Sequence, residues 1–390
     1  MNYKSLLNDL IKILEDNHLD FYFTITKEEL NDYIGEVLKK YKLIDKYDFF
    51  YVANVILKKV FSVYDSHTKL VWDNADFNLP IRLKYINNAL YIIRTDEENK
   101  DLLYGKIIKI NNIEINKLIK EIEDMTSFST MEYLVRQIEI ILYNGIKMRA
   151  LPSIDSNSYE FEYELLIGDE IVKRTLTKSE ENLLDINKSK DNYFYELKDD
   201  AIYIVYNSCK EVYDGQMLEF VNKIRQLAEL NNINKFIVDI RGNVGGNSSI
   251  INPLIDYLRG KEVITLVDEY IFSGGRFAIL DLKNIDSKFV GTKIGTSLNC
   301  FGNAPTIKFD EFILPISNKY FYFDTTYNLE SFRYATNSEE FAKLKQNPKY
   351  FIPQIFEPDY YVLNTIEYYK NGLDLQLEKA IELLNIKKFK

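Results

Sequence analysis

The segment KFIVDIRGNVGGNSS, residues 235–249, limits what this chain can fold into more than any other stretch. Phe236, Ile237 and Val238 are apolar without alternation, the pattern of a strand covered on both faces of a parallel sheet. The run ends in Asp239, Ile240 and Arg241, opens into Gly242, Gly245 and Gly246, and continues into the helical pattern INPLIDYL. A strand, a glycine turn and a helix in that order is the local signature of an α/β sheet. The neighbouring segments repeat it. AIYIVYN reads as a strand and MLEFVNKIRQLAEL as an amphipathic helix. VITLVDEY is a strand, IFSGGRFA a glycine turn, and KFVGTKIG a further strand. From about Tyr193 onward the expected class is therefore α/β.

The first half follows different rules. Leu6, Leu7, Leu10, Ile11 and Leu14 fall on one helical face. Thr26 with Glu29 predicts a capping box at the start of a second helix. A third helix begins near Tyr47. IRLKYI, ALYIIRT and KIIKI then read as short strands with a turn at Asn111–Asn112, and helices are expected over 114–146. YEFEYELLIGDEIVKRTLT reads as a hairpin turning at Gly168–Asp169, followed by a polar linker over 178–192. The expected division is a helical unit over 1–70, a β-rich and helical region over 71–190, and an α/β core over 191–390.

Composition narrows the chemistry. The chain has two histidines, His18 and His67, and two cysteines, Cys209 and Cys300. No His/Cys zinc cluster can be built from so few ligands, and no disulfide framework from two cysteines. Both thiols read as small buried hydrophobes. A net charge of −10 without a Lys/Arg block argues against a nucleic-acid backbone binder. No run reaches the length of a membrane span, and the start lacks the apolar core of a secretory signal. A cytoplasmic location with free thiols is the expectation. The glycine loop matches neither a Walker motif nor a dinucleotide fingerprint, so no metal, nucleotide or other cofactor is expected.

Three pieces carry possible reactivity. The glycines after Asp239 expose backbone N–H groups before a helix, a cradle for an anion or developing oxyanion. Ser273, in YIFSGGRFA, sits after an apolar strand and before two glycines, where a sharp turn presents its hydroxyl. His67, in VYDSHTKL, is an available imidazole base. His18, at the end of the first helix, reads as a helix-dipole partner or a packing residue.

In this order the pieces resemble the C-terminal processing (tail-specific) peptidases and their tricorn-core relatives. NHLDFYFTITKEEL, YDSHT, GKIIKINNIEI, FIVDIRGNVGGNSSI, FSGGRFA, VGTKIGTSLNCFGN and GLDLQLEKAIELL carry the likeness over most of the chain. The resemblance implies a crotonase-like ββα-spiral core with an N-terminal helical unit and a small PDZ-like segment. It implies a serine peptidase acting on peptides or proteins through Ser273. Gly274 and one of Gly245 or Gly246 would donate the oxyanion N–H groups. Positions where lysine-dependent relatives carry the base are Ser297 and Leu298, so a Ser–Lys dyad is not supported. The Ser-His branch resembles Ser66–His67 instead, with His67 as base and Ser66 orienting the imidazole. Glu330 is the best remaining acid; Glu357 and Asp65 are weaker. Arg241 either pairs with an interior carboxylate or binds a substrate carboxylate. A catalytically idle binding homologue and a non-peptide ester or amide hydrolase are the alternatives; oligomeric state is open.

Overall fold

The computed structural model describes residues 2–75, 77–179, 183, 191–323 and 332–386. It forms two compact units. One comprises Met1–Leu183, Asn299–Tyr322 and Tyr334–Pro353, and the other Leu184–Leu298, Phe323–Arg333 and Gln354–Lys390.

In the first unit the predicted helices form at Tyr3–Asn17, Lys27–Lys40 and Lys46–Phe61. The Thr26–Glu29 capping box closes in both directions, and Asp45 with Asp48 makes a second one at the third helix. These caps satisfy amides that the first turn leaves unpaired. The third helix is buried almost all round, from Phe49 to Phe61, because it packs on the other helices and on a sheet. That sheet runs Ile81–Ile86, Ala89–Thr95, Lys106–Ile110, Phe161–Ile167 and Glu170–Leu176, all antiparallel. Asn111 and Asn112 take φ of 50° and 61° at the predicted turn, and Gly168 takes 61°, as two-residue hairpins require. Much of the predicted linker, residues 180–182 and 184–190, lies outside the described residues.

The second unit is an α/β sheet. Its order is Tyr360–Tyr361, Lys288–Gly291, Glu262–Val267, Lys235–Asp239, Ala201–Tyr206 and Tyr193–Lys198, parallel except for the last edge strand. The unalternating apolar runs have the reason anticipated for them. Phe236 and Val238 face one core with Val221, Leu254 and Ile279, while Ile237 faces another with Ala380 and Ile381. Helices cover both faces, so each strand residue is buried whichever way it points. Three strands end together, which brings the loops after Tyr206, Asp239 and Val267 to one edge.

Candidate active site

Ser273 immediately precedes the helix Gly274–Lys283, with φ 49° and ψ −120°. These are the angles of the second residue of a type II′ turn, and Gly275 N–H closes that turn on the Phe272 carbonyl at 2.9 Å. A side chain in such a conformation costs roughly 1–3 kcal/mol. The hydroxyl does not recover this by capping the helix. A strained serine on a strand-to-helix turn is the arrangement of a nucleophile elbow.

The glycine loop lies directly against this turn, main chain to main chain. Phe272 N–H donates to the Asn243 carbonyl at 3.1 Å. A Cβ on Gly245 would fall 2.4 Å from Gly274 N, and one on Gly274 would fall 2.5 Å from Gly246 O. Only residues without Cβ allow that approach. Gly246 also bridges Cys209 in parallel, with Cys209 N–H donating to Gly245 O and Asn247 N–H to Cys209 O. Such a bridge uses the groups on either side of Gly246 and turns its own N–H to the opposite side. Gly245 N–H, in contrast, already donates to Asn243 Oδ1 at 2.9 Å. Of the two glycines considered as oxyanion donors, Gly245 is thus committed elsewhere and Gly246 remains. Asn243 was missed in the sequence. It is fully buried, and its Nδ2 donates to Tyr206 O at 2.9 Å.

Arg241 is 2% exposed. Its Nε and Nη2 donate to Asp239, its Nη1 and Nη2 to Asp374, and its Nη1 to Gln376 as well. Five guanidinium N–H groups meet this set of acceptors in full, so the substrate-carboxylate reading gives way to the interior pairing. The ion pairs tie the start of the glycine loop to the helix Leu375–Leu383.

His67 belongs to the first unit and sits in a turn fixed by Asp65. Asp65 Oδ1 accepts the N–H of His67 at 2.8 Å, the N–H of Thr68 at 3.0 Å and the Ser317 hydroxyl at 3.0 Å. Its Oδ2 accepts the Thr68 hydroxyl at 2.6 Å and meets His18 Nε2 at 3.1 Å. Burial by itself would raise the Asp65 pKa, but the His18 hydrogen bond, the electrostatic pull of the two neighbouring histidines, and the Thr68 hydroxyl hold it well below the usual carboxylate range. Asp65 Oδ1 stands 3.9 Å from His67 Nδ1, beyond hydrogen-bond reach. It therefore sets the turn and the local field, without a direct bond to the ring. Gly302 completes the surroundings: a Cβ there would lie 3.4 Å from His67 Cε1.

Ser66 departs from its expected role. Its carbonyl accepts from Lys69 Nζ at 3.3 Å and Tyr133 Oη at 3.2 Å, while its hydroxyl makes no hydrogen bond to the imidazole among the described residues. Glu330 lies outside the described residues. Glu357 is exposed and pairs with Lys293 at 2.7 Å. Ser297, at the position of the relatives' lysine, is fully buried and bonded to the Gln354 backbone. Trp72 packs between Phe50 and Phe312 in the core. Both cysteines are buried and in no disulfide, and burial pushes the Cys209 thiol up. Among the described residues no group of three or more His, Cys, Asp or Glu could hold a metal, and no helix is long and apolar enough to cross a membrane.

No family model and no curated protein matches the sequence. Solved structures do. Mature CPAF matches over 100% of this chain and 99% of its own, with a TM-score of 0.65 at 10% identity. The chain has the fold of mature CPAF. Mature CPAF complexed with lactacystin gives 0.64 at 11% identity, with 99% of both chains covered. The photosystem II D1 C-terminal processing protease also matches, over 93% of each chain at 9% identity and a TM-score of 0.44. The α/β class read from the sequence is met in this fold.

Proposed function

We propose that this chain is a serine peptidase that cleaves peptides through an acyl-enzyme on Ser273, with His67 as general base. The observation that carries the reading is the strained Ser273 turn held against Gly245 and Gly246 by backbone contact alone. Ser62 takes nearly the same angles at the end of the third helix, so it is the glycine loop packed against the Ser273 turn, together with the strain, that sets Ser273 apart.

In this reading His67 takes the Ser273 Oγ proton as the oxygen attacks the peptide carbonyl. The N–H groups of Gly274 and Gly246 receive the tetrahedral oxyanion, and one lost donor costs about 10²–10³ in rate. The imidazolium then returns the proton to the leaving amine, and water enters by the reverse sequence. The buried Asp65 carboxylate, 3.9 Å from His67 Nδ1, stabilises the imidazolium that forms during the transfer. The β-rich segment of the first unit receives an extended peptide by strand addition.

A fluorophosphonate probe tests this. Wild type is expected to label at Ser273, with labelling lost in Ser273→Ala and reduced by at least about 10³ in His67→Ala. Unlabelled wild type that still binds peptide would establish the idle-binder alternative. Labelling without cleavage of any peptide in a random library would point to esters or amides of another class.

A further inference from the structure

Asn243, in the loop after the strand Lys235–Asp239, is 0% exposed, and each of its polar groups is used. Its N–H donates to Ile240 O at 3.2 Å, and its carbonyl accepts the N–H of Phe272, the residue before Ser273, at 3.1 Å. Nδ2 donates to Tyr206 O, at the end of the strand Ala201–Tyr206, at 2.9 Å. Oδ1 accepts the Gly245 N–H at 2.9 Å and the Cys209 thiol at 3.5 Å. One buried side chain and its backbone thus join the glycine loop, the serine turn and the end of a neighbouring strand. The second glycine after Ser273 belongs to this junction: a Cβ on Gly275 would fall 2.6 Å from Asn243 O and 3.2 Å from its Oδ1. Gly274 therefore makes room for Gly246, and Gly275 makes room for Asn243.

These bonds fix direction as well as place. Gly245 and Gly246 have φ of 101° and 134°, and without side chains their peptide planes are free to turn unless something holds them. The Gly245 N–H lies in the first plane and is held by Asn243 Oδ1. The Gly245 carbonyl lies in the second plane and is held by the Cys209 N–H at 3.3 Å. The Gly246 N–H shares that second plane and points opposite to the carbonyl. Without Oδ1, the buried Gly245 N–H would lose its acceptor, and the loop would turn to find another. We propose that Asn243 is a positioning residue, which keeps the Gly246 N–H and the Ser273 turn in one register so that Gly246 and Gly274 receive the oxyanion together. The inference rests on the peptidase reading, and it gives Asn243 no contact with the substrate.

The test follows fluorophosphonate labelling of the full-length protein, separating the maximal rate at Ser273 from the half-saturating probe concentration. Asn243→Ala should lower the maximal rate about 10²-fold, the effect of one lost oxyanion donor, and leave the half-saturating concentration within about twofold. Thr265→Val is the control. Thr265 is also 0% exposed, on the strand Glu262–Val267, and its hydroxyl pairs with that of Ser287 at 2.7 Å. That variant should unfold at lower urea and keep the wild-type rate. Asn243→Asp adds a readout that a purely structural role would not move. Its protonated carboxyl accepts from Gly245 N–H and donates to Tyr206 O as the amide does, whereas the ionised form has no donor. Burial favours the protonated form at low pH. The ratio of variant to wild-type rate, in which the His67 titration cancels, should fall about tenfold between pH 5 and 8. An unchanged rate in Asn243→Ala, an equal fall in Thr265→Val, or a ratio flat with pH would overturn the positioning role and leave the hydrolase reading standing. Wild type that does not label would remove the hydrolase reading and the positioning role with it.

Discussion

His18 Nε2 meets the buried Asp65 Oδ2 at 3.1 Å, so both histidines of this chain bear on one carboxylate. Asp20 N–H donates to His18 Nδ1 at 3.1 Å, which leaves the ring proton on Nε2, aimed at Asp65. The ring lies between Phe61 and Phe301, with centroid distances of 5.0 and 4.8 Å. The residue read from sequence as a helix-end or packing histidine is thus part of the support behind the His67 turn.

His18→Phe keeps the ring packing and removes one donor from Asp65. The expected loss is about 1.5–3 kcal/mol, the range for a hydrogen bond to a charged group. The folded pKa of Asp65 is held below its unfolded value. Its contribution is therefore present above the unfolded pKa and lost as pH falls through the folded one. The variant should unfold at a higher pH on acidification, as followed by circular dichroism. An unchanged urea midpoint and acid limb would refute the role given to His18.

Ser273 holds φ 49° where glycine would be unstrained. Ser273→Gly should therefore be more stable than Ser273→Ala by about 1 kcal/mol, although both abolish labelling. Urea unfolding of the pair measures the difference, and equal midpoints would remove the strain argument.

Gly274→Ala would set a Cβ 2.5 Å from Gly246 O, whereas a Cβ on Gly260 meets nothing within 4 Å. Both substitutions change a glycine, but only the first drives two backbones apart. Gly274→Ala should lose fluorophosphonate labelling by at least about 10². Gly260→Ala, at φ 73°, should cost about 1 kcal/mol and keep labelling. Equal labelling of both would mean that the close approach of the loops is dispensable.

Asp281, on the helix that follows Ser273, has its pKa pushed up to about 6 by burial, partly countered by Arg259. A carboxyl whose folded pKa exceeds its unfolded one destabilises the fold once pH rises above both. Asp281→Asn should stabilise the protein at pH 7.5 by on the order of 2 kcal/mol, and by much less at pH 4. Thermal melting across that range provides the measurement, and a gain independent of pH would contradict the assignment.

Much of the fold was legible because its signals are local. The capping box at Thr26, the asparagine turn at 111–112 and the hairpin at Gly168 depend on residues adjacent in sequence, and the structure forms each of them. The unalternating run Phe236–Val238 announced a strand with two covered faces, and Ile237 indeed faces a different core from its neighbours. The serine turn and the glycine loop were each visible for the same reason.

What the chain order could not reveal is which distant groups share an atom. Ser317 reaches Asp65 from 252 positions away, and Asp374 reaches Arg241 from 133. Those contacts turned Arg241 from a possible substrate ligand into an interior tie. Gly245 and Gly246 look alike in sequence, yet the Asn243 side chain claims the N–H of one and not the other. Sequence alone determined the backbone signatures, since φ, ψ and burial pattern follow from neighbouring residue types. Tertiary structure alone decided the partners of each buried polar group, because a hydrogen bond depends on ångström-scale placement that periodicity does not encode.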